Sequence, residues 1–342
     1  MSQQPLVSII SPTYNHSLYI IDCIKSVQSQ TYTSWEMLII NDGSTDNTAD
    51  LVQEYIRQSG DKRIKLFNRI NVGIHRLAET YNFALQQSAG EYIGILEGDD
   101  LWEPAKLERQ VSAMSNQTQT VLCWGQAYSV NNNLSHTYGL YPTDNASWEK
   151  YYDNSPTGNI LNLLFFENPI AALTILIRKS TLLEIGGFKQ SHSLPLVDLP
   201  TIMALSLKGN FHFDKFPLGK WRNFPDQATK KYPVEITKGR FELTLDYIKK
   251  AKETGFSCVA ITENEVRAYF NKLILVAHAR SGRYKLMRKD FSGARSDYNN
   301  AIFYKGVSEP TWRLRAIVGY MLSILHLDAE WLAKLLGKKA YK

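Results

Sequence analysis

The amino-acid sequence predicts an α/β protein: a mostly parallel sheet flanked by helices, followed by a helical C-terminal region. Three observations predict it. Strand-like and helix-like runs alternate from Leu6 to Met114. Each strand-like run in that stretch is followed by a polar cluster. Beyond about residue 230 strand patterns nearly vanish and the charge changes sign. Alternation of this kind implies parallel strands joined by crossover helices.

The elements follow in order. Leu6 to Ser11 is a short apolar run stopped by Pro12, which suits a buried strand. Leu18 to Gln28 sets Ile20, Ile21, Ile24 and Val27 at helical spacing. Trp35 to Ile40 reads as a second strand, and Ser44 or Asp46 can cap a helix through Tyr55. Arg63 to Phe67 is a third strand, Leu77 to Gln87 a helix ended by Gly90, and Glu91 to Leu96 a fourth strand. Pro104 opens a helix to about Met114. Val121 to Tyr128 and Thr174 to Ile177 read as strands, Ile160 to Phe166 and Leu199 to Leu207 as helices. His212 to Phe216 and Leu218 to Trp221 read as two short strands. Helical patterns then cover Phe241 to Ala251, Glu263 to Arg280, Gly293 to Phe303, Thr311 to Leu325 and Ala329 to Leu336.

The chain has 342 residues, enough for about two domains at roughly 100–200 residues each. Its 44% hydrophobic content excludes wholesale disorder. The net charge of +6 hides an asymmetry. Residues 231–342 hold 21 Lys/Arg against 11 Asp/Glu, whereas residues 1–230 hold 18 against 22. The expected division is therefore 1–230, with halves at about 1–115 and 116–230, and a basic helical domain at 231–342. Cys23, Cys123 and Cys258 are too scattered for a disulfide framework and suit a reducing, cytoplasmic setting. The N-terminus lacks the pattern of a secretory signal. The longest uncharged apolar stretch, Ala316 to Leu327, is short of the ~20 residues that a membrane span needs.

The polar clusters fall at the carboxyl ends of the predicted strands, where open sheets of this type bind ligands. They are Thr13-Tyr14-Asn15, Asn41-Asp42-Gly43, Asn71-Val72-Gly73 and Glu97-Gly98-Asp99-Asp100. Four on one edge describe a cleft. The last is the sharpest feature, because close carboxylates repel unless a cation or water screens them. Magnesium usually takes one or two carboxylates plus substrate phosphates. A solvated acidic turn is the plain alternative. Asp42 directly follows a strand, so its carboxylate faces the cleft and can accept from a base or ribose. The turn chemistry of Asp-Gly and the helix cap are served by the same segment.

The runs VSIISPTYN, MLIINDGSTDNT, NVG and GEYIGILEGDD occur together in this order. With them the chain resembles family 2 glycosyltransferases, closely over about Pro5 to Gln110 and more loosely to about Gln227. The resemblance implies a GT-A fold, a Rossmann-like mostly parallel sheet. It implies a nucleotide-diphosphate sugar donor, a UDP-sugar foremost, with Mg²⁺ or Mn²⁺. It also implies transfer with inversion to a saccharide or lipid-linked saccharide hydroxyl, in cell-surface polysaccharide or glycolipid synthesis. Pro12, Tyr14, Asp42 and Asn71 fall at nucleotide-binding positions. Glu97 and Asp99 fall at the two acids of the Asp-x-Asp motif, with Asp99 the metal ligand and Asp100 beside it. Two departures stand out: Glu97 replaces the usual aspartate, and Tyr81 stands where a basic residue precedes the asparagine matched by Asn82. Arg76, one turn earlier, either supplies the missing charge at a diphosphate or is a surface arginine.

Gly186-Gly187-Phe188 resembles the family's Gly-Gly-Phe, and Asp198 then matches the acidic stretch that carries the general base. Asp198 also precedes Leu199-Pro200 where a helix starts, so a helix cap is the alternative. Arg222 matches a position that faces a diphosphate, or else serves a structural salt bridge. The basic tail sets Arg313, Arg315, Lys334, Lys338, Lys339 and Lys342 around Ile317, Met321, Ile324, Leu325, Trp331 and Leu335. That pattern suits either a peripheral helix on the inner face of a membrane or a helix packed on protein. The basic residues form no nucleic-acid motif. A catalytically silent sugar-nucleotide-binding or scaffold protein stays open beside the transferase. A nucleotidyltransferase does too, although Ser11 to Asn15 lacks its glycine-rich basic loop.

Overall fold

The computed structural model describes residues 4–191, 193–224 and 227–328. The expected helix from Ala329 to Leu336, the tail lysines and His192 lie outside them. The described chain forms two compact units. The first takes the chain up to Gln190, Leu196–Asn223 and Ala251–Ala260. The second takes Ser191–Pro195, Phe224–Lys250 and the chain from Ile261 onward.

The first unit is built on a nine-stranded sheet. Its strands are β1 (Val7–Thr13), β2 (Trp35–Asn41), β3 (Ile64–Asn68), β4 (Tyr92–Ile95) and β5 (Leu101–Trp102). They continue with β6 (Thr120–Asn131), β7 (Thr137–Tyr141), β8 (Leu176–Arg178) and β9 (Asn210–Asn223). The order is β3-β2-β1-β4-β8-β6-β9-β5, with β7 on β6. β3, β2, β1 and β4 are mutually parallel, as the alternation predicts. β8 runs antiparallel to β4 and β6 and joins the two halves of the sheet. The helices are α1 (Ile20–Gln28), α2 (Thr48–Ser59), α3 (Leu77–Gln87), α4 (Lys106–Asn116), α5 (Ala146–Tyr152), α6 (Leu161–Leu164), α7 (Lys179–Glu184) and α8 (Asp198–Ser206).

β1 and β2 are buried along their whole length, which explains their near-continuous apolar sequences. The charged exception, Glu36, is neutralised in place. It accepts from Ser8 Oγ at 2.7 Å and Ala89 N at 2.7 Å, and pairs with Lys65 Nζ at 2.9 Å. A buried carboxylate is tolerable only when so satisfied. The core between sheet and helices includes Ile9, Ile24, Met37, Leu96, Trp102, Leu107 and Met114.

Two expectations need correction. The short strands at His212–Phe216 and Leu218–Trp221 are one strand, β9. Its ladder to β6 pairs Gly125 with Asp214 and then Gln126 with Pro217, so Lys215 and Phe216 bulge out. Proline has no N–H to give a ladder, and the bulge absorbs that loss. The break that resembles a turn in sequence is this bulge. Asp198 is not a helix cap: Val197 occupies that position, and α8 starts on Asp198 itself. β5, β7, α5 and α7 are too short for periodicity to reveal.

Among its described residues the second unit is helical: α9 (Ala228–Lys231), α10 (Pro233–Glu253), α11 (Glu263–Met287), α12 (Phe291–Ile302) and α13 (Pro310–Ile324). Thr262 and Glu265 form a capping box at the start of α11. The Tyr298 ring is gripped between Gly282 and Gly319, where any Cβ would overlap it. Asp297 of α12 is 7% exposed and binds α11 three ways. It accepts from Ser281 Oγ at 2.6 Å and pairs with Lys285 Nζ at 2.7 Å and His278 Nδ1 at 3.2 Å. Burial raises its carboxyl, but the bonds from His278, Lys285 and Ser281 outweigh that and hold it down at about 2.

A depressed carboxylate stabilises the fold above its unfolded value, about pH 4, and that contribution is lost as pH falls through about 2. Asp297→Asn is therefore expected to lower the thermal midpoint at neutral pH. It also flattens the acid limb between those values in a denaturation series. Asp297→Ala, which leaves the buried Ser281 hydroxyl and His278 ring without this partner, is expected to cost about 2 kcal/mol.

Candidate active site

The four carboxyl-end loops of the parallel strands are bonded to one another. Asp42 N donates to Thr13 O at 2.9 Å and Gly98 N to Pro12 O at 3.1 Å. Asn15 N donates to Ser44 Oγ at 3.0 Å, and Thr45 N to Asn15 Oδ1 at 2.8 Å. Asn71 Nδ2 donates to Asp42 O at 2.8 Å. Pro12, Asp42, Asn71, Glu97 and Asp99 are thus gathered at one edge of the sheet, and Tyr14 stands there 45% exposed. The cap position of α2 is Asn47 rather than Ser44 or Asp46, and its side chain makes no capping bond; Asp46, one residue earlier, accepts from Thr48 N on Oδ1 at 3.0 Å.

Three consecutive residues of α3 each hold a different part of this edge. Thr80 Oγ1 donates to Asp42 Oδ1 at 3.0 Å. Asp42 is 5% exposed, and its Oδ2 has no hydrogen-bond partner among the described residues. Tyr81 Oη donates to Glu97 Oε1 at 2.7 Å. Asn82 clasps the backbone of Phe188, donating Nδ2 to its carbonyl at 3.0 Å and accepting its N–H on Oδ1 at 2.8 Å. Gly187 makes that clasp possible: its φ is +81°, and a Cβ would overlap the Asn82 carboxamide. The Gly-Gly-Phe segment is therefore locked to α3.

Glu97, Asp99 and Asp100 present carboxylate oxygens that all lie within 4.8 Å of one another. Burial first, then the Asp99 and Asp198 charges, push the Glu97 carboxyl up, and the Tyr81 hydrogen bond only partly offsets them. Burial and Asp99 likewise push the Asp100 carboxyl well up. Asp99 Oδ1 is buried with no hydrogen-bond partner. A buried orphan oxygen among mutually repelling carboxylates fits a hard divalent cation.

Arg222, 1% exposed, fixes this acidic loop from behind. Its backbone N donates to Asp100 Oδ1 at 2.8 Å, and its guanidinium donates to Asp99 O at 2.5 Å. It also pairs with Asp22 at 3.0 Å and lies 4.9 Å from the Tyr19 ring centroid. Arg76, the exposed residue just before α3, is bidentate to Glu79 at 2.7 and 2.8 Å, as a surface arginine would be. Asp198, in the first turn of α8, receives Asn168 Nδ2 on Oδ2 at 3.4 Å. Tyr141 Oη in turn bonds the Asn168 carbonyl.

Sequence reasoning missed Thr80, Asn168, Asp22 and Tyr19 as supports of the site. Thr80, Tyr81 and Asn82 fan over most of the turn of a helix, so no single periodic face marks them. A polar Thr80 on the buried side of α3, beside Tyr81 and Ala84, is the one signal that could have found it.

The profile of Glycosyl transferase family 2 matches residues 8–174. The chain is 31% identical over 207 residues to TuaG of Bacillus subtilis (strain 168), a protein provisionally named as a teichuronic acid biosynthesis glycosyltransferase. That match covers 60% of this chain and 74% of TuaG. This chain belongs to glycosyl transferase family 2. Another member, the UDP-Glc:alpha-D-GlcNAc-diphosphoundecaprenol beta-1,3-glucosyltransferase WfgD of Escherichia coli, is 35% identical over 179 residues. That match covers 52% of this chain and 62% of WfgD, less than two thirds of its length.

Solved structures share the GT-A fold of this family 2 chain. TarS 1-349 of S. aureus, in complex with UDP-GlcNAc, superposes with a TM-score of 0.55 at 15% identity. It covers 97% of this chain and 92% of TarS 1-349. The mannosyltransferase PcManGT of Pyrobaculum calidifontis, in complex with GDP-Man and Mn2+, superposes with a TM-score of 0.54 at 15% identity. It covers 96% of this chain and 89% of PcManGT.

Proposed function

We propose that this chain is an inverting glycosyltransferase. It moves a sugar from a nucleotide-diphosphate sugar, a UDP-sugar foremost, to a hydroxyl of a saccharide or lipid-linked saccharide, in cell-surface polysaccharide or glycolipid synthesis. Residues 1–230 act as the catalytic domain and residues 231–342 as its helical appendage. The observation that carries the reading is the pairing of an orphan acid, Asp99, at the sheet edge with Asp198, whose charge reaches Glu97. The names of WfgD and of the TarS and PcManGT complexes supply the donor and acceptor classes.

Asp42 Oδ2 is placed to accept from the nucleoside, Tyr14 to lie against it, and Pro12 and Asn71 to shape the floor. Asp99, with Asp100 beside it, would hold Mg²⁺ or Mn²⁺, which when bound neutralises charge on a departing diphosphate. Asp198 takes the proton from the acceptor hydroxyl. The freed oxygen bonds to the anomeric carbon as the bond from that carbon to the diphosphate breaks, and the nucleoside diphosphate leaves. Asn168 orients Asp198 for that role. Arg222 acts as a positioning residue through the Asp99 backbone, and Arg76 reaches a diphosphate only by leaving Glu79.

The tail's membrane-surface role has one support. α13 exposes Leu314, Ile317, Val318, Met321 and Ile324 at helical spacing, followed by exposed Leu325, with Arg315 also exposed. No helix among the described residues is long and apolar enough to cross a membrane. A second reading, a silent donor-binding protein, is favoured by the Tyr81 bond that engages Glu97.

Incubation of the full chain with UDP-sugars and diphosphate-lipid-linked saccharides tests both. The expected result is release of UDP with an inverted anomeric centre in the product, read by proton NMR. Donor binding without turnover across the acceptor panel would favour the silent reading. Retention of configuration would remove Asp198 from its role as base.

A further inference from the structure

The helical unit holds an open cavity of about 350 Å³ that none of the candidate active-site residues lines. Lys238 of α10 and Lys305, which follows α12, line it together with His278 of α11. Asn299 and Asn300 add carboxamides, and Phe303 and Tyr304 add aromatic surface. No carboxylate lines it. We infer that this cavity is a phosphate-binding site, taking a mono- or diphosphate group either free or on a lipid headgroup.

The donor set is built rather than accidental. His278 is 7% exposed, and its Nδ1 is held at 3.2 Å by Asp297. Its Nε2 has no partner among the described residues and belongs to a ring that lines the cavity. A carboxylate behind the ring fixes its orientation, so that the Nε2 edge faces away from Asp297. The wall formed by residues 303–305 is tied down. Arg313 donates to the carbonyls of Ile302, Tyr304 and Val307, and Tyr304 Oη bonds Asn271 Oδ1 at 3.3 Å. Lys238 and Lys305 are exposed and form no ion pair among the described residues. Two ammonium groups and an imidazole around one cavity suit the several oxygens of a phosphate, and charge-assisted bonds are the strong ones. Phe303, 71% exposed at this wall, offers apolar surface to whatever carries the phosphate. The site does not rest on the transfer reading.

The test titrates the full chain with inorganic pyrophosphate in chelator, which removes any metal-dependent binding by the acidic loop. Saturable binding is expected. The charge-reversal pair Lys238→Glu/Lys305→Glu should weaken it by at least about tenfold, with an unchanged circular dichroism spectrum. Asp99→Asn should bind pyrophosphate as the native chain does. Vesicles of phosphatidylcholine with phosphatidylglycerol form the second arm. If the lysine pair also loses vesicle binding, the site takes a lipid headgroup. If vesicle binding is unchanged while pyrophosphate binding falls, it takes a soluble phosphate. Equal pyrophosphate affinity in the native chain and the lysine pair, or loss of that binding in Asp99→Asn instead, overturns the inference.

Discussion

Asp198→Asn is expected to lower kcat by about a thousandfold, within the roughly 10²–10⁴ range that a positioned base contributes. The affinity for a nucleoside diphosphate should not change. Asparagine keeps the shape of the side chain and its place beside Asn168. It removes the negative charge and with it the capacity to take a proton. The KM for the acceptor should move little, since the loss falls on the transition state. A matched fall in nucleotide affinity would show that Asp198 shapes the donor pocket instead. Asn168→Ala should produce a smaller loss of the same kind, because its bond to Asp198 is what reaches the reaction, its Oδ1 serving the backbone of Ile170.

Asp99→Asn is the second large effect. Its Oδ1 is the buried orphan of the acidic loop, so this change removes the negative charge at the point where a cation would relieve the repulsion with Glu97 and Asp100. Mn²⁺ binding, followed by the loss of the free-ion electron paramagnetic signal, should fall by more than about tenfold. Transfer should fall with it. The fold should survive and become somewhat more stable without the cation, because Asp99 is a cause of the raised Glu97 and Asp100 carboxyls. Undiminished Mn²⁺ binding would place any cation elsewhere.

The parallel half of the sheet was legible because its buried strands are continuous apolar runs and its loops carry the polar clusters. Asp42, Asn71 and the Glu97–Asp100 loop could be assigned to one edge from order alone. The second half was less legible, because its pairing depends on a bulge at Lys215–Phe216 and on β8, which reads as a strand but carries no sign that it runs antiparallel between β4 and β6. The supports of the site were hidden for a related reason. Asp22 meets Arg222 across 200 positions of sequence, and spacing cannot report a contact that folding creates. The two departures from the family pattern, Glu97 and Tyr81, looked independent in sequence. They are one feature, since the longer acid accepts the hydrogen bond of the tyrosine that replaces the basic residue.

The central claim is that the carboxyl-end loops form a metal-assisted nucleotide site. Calorimetric titration of the native chain with UDP, GDP and dTDP, each with and without Mn²⁺, tests it most directly. The account predicts saturable binding of one nucleotide, UDP foremost, that strengthens when Mn²⁺ is present. Absence of binding for all three nucleotides under both conditions would contradict it.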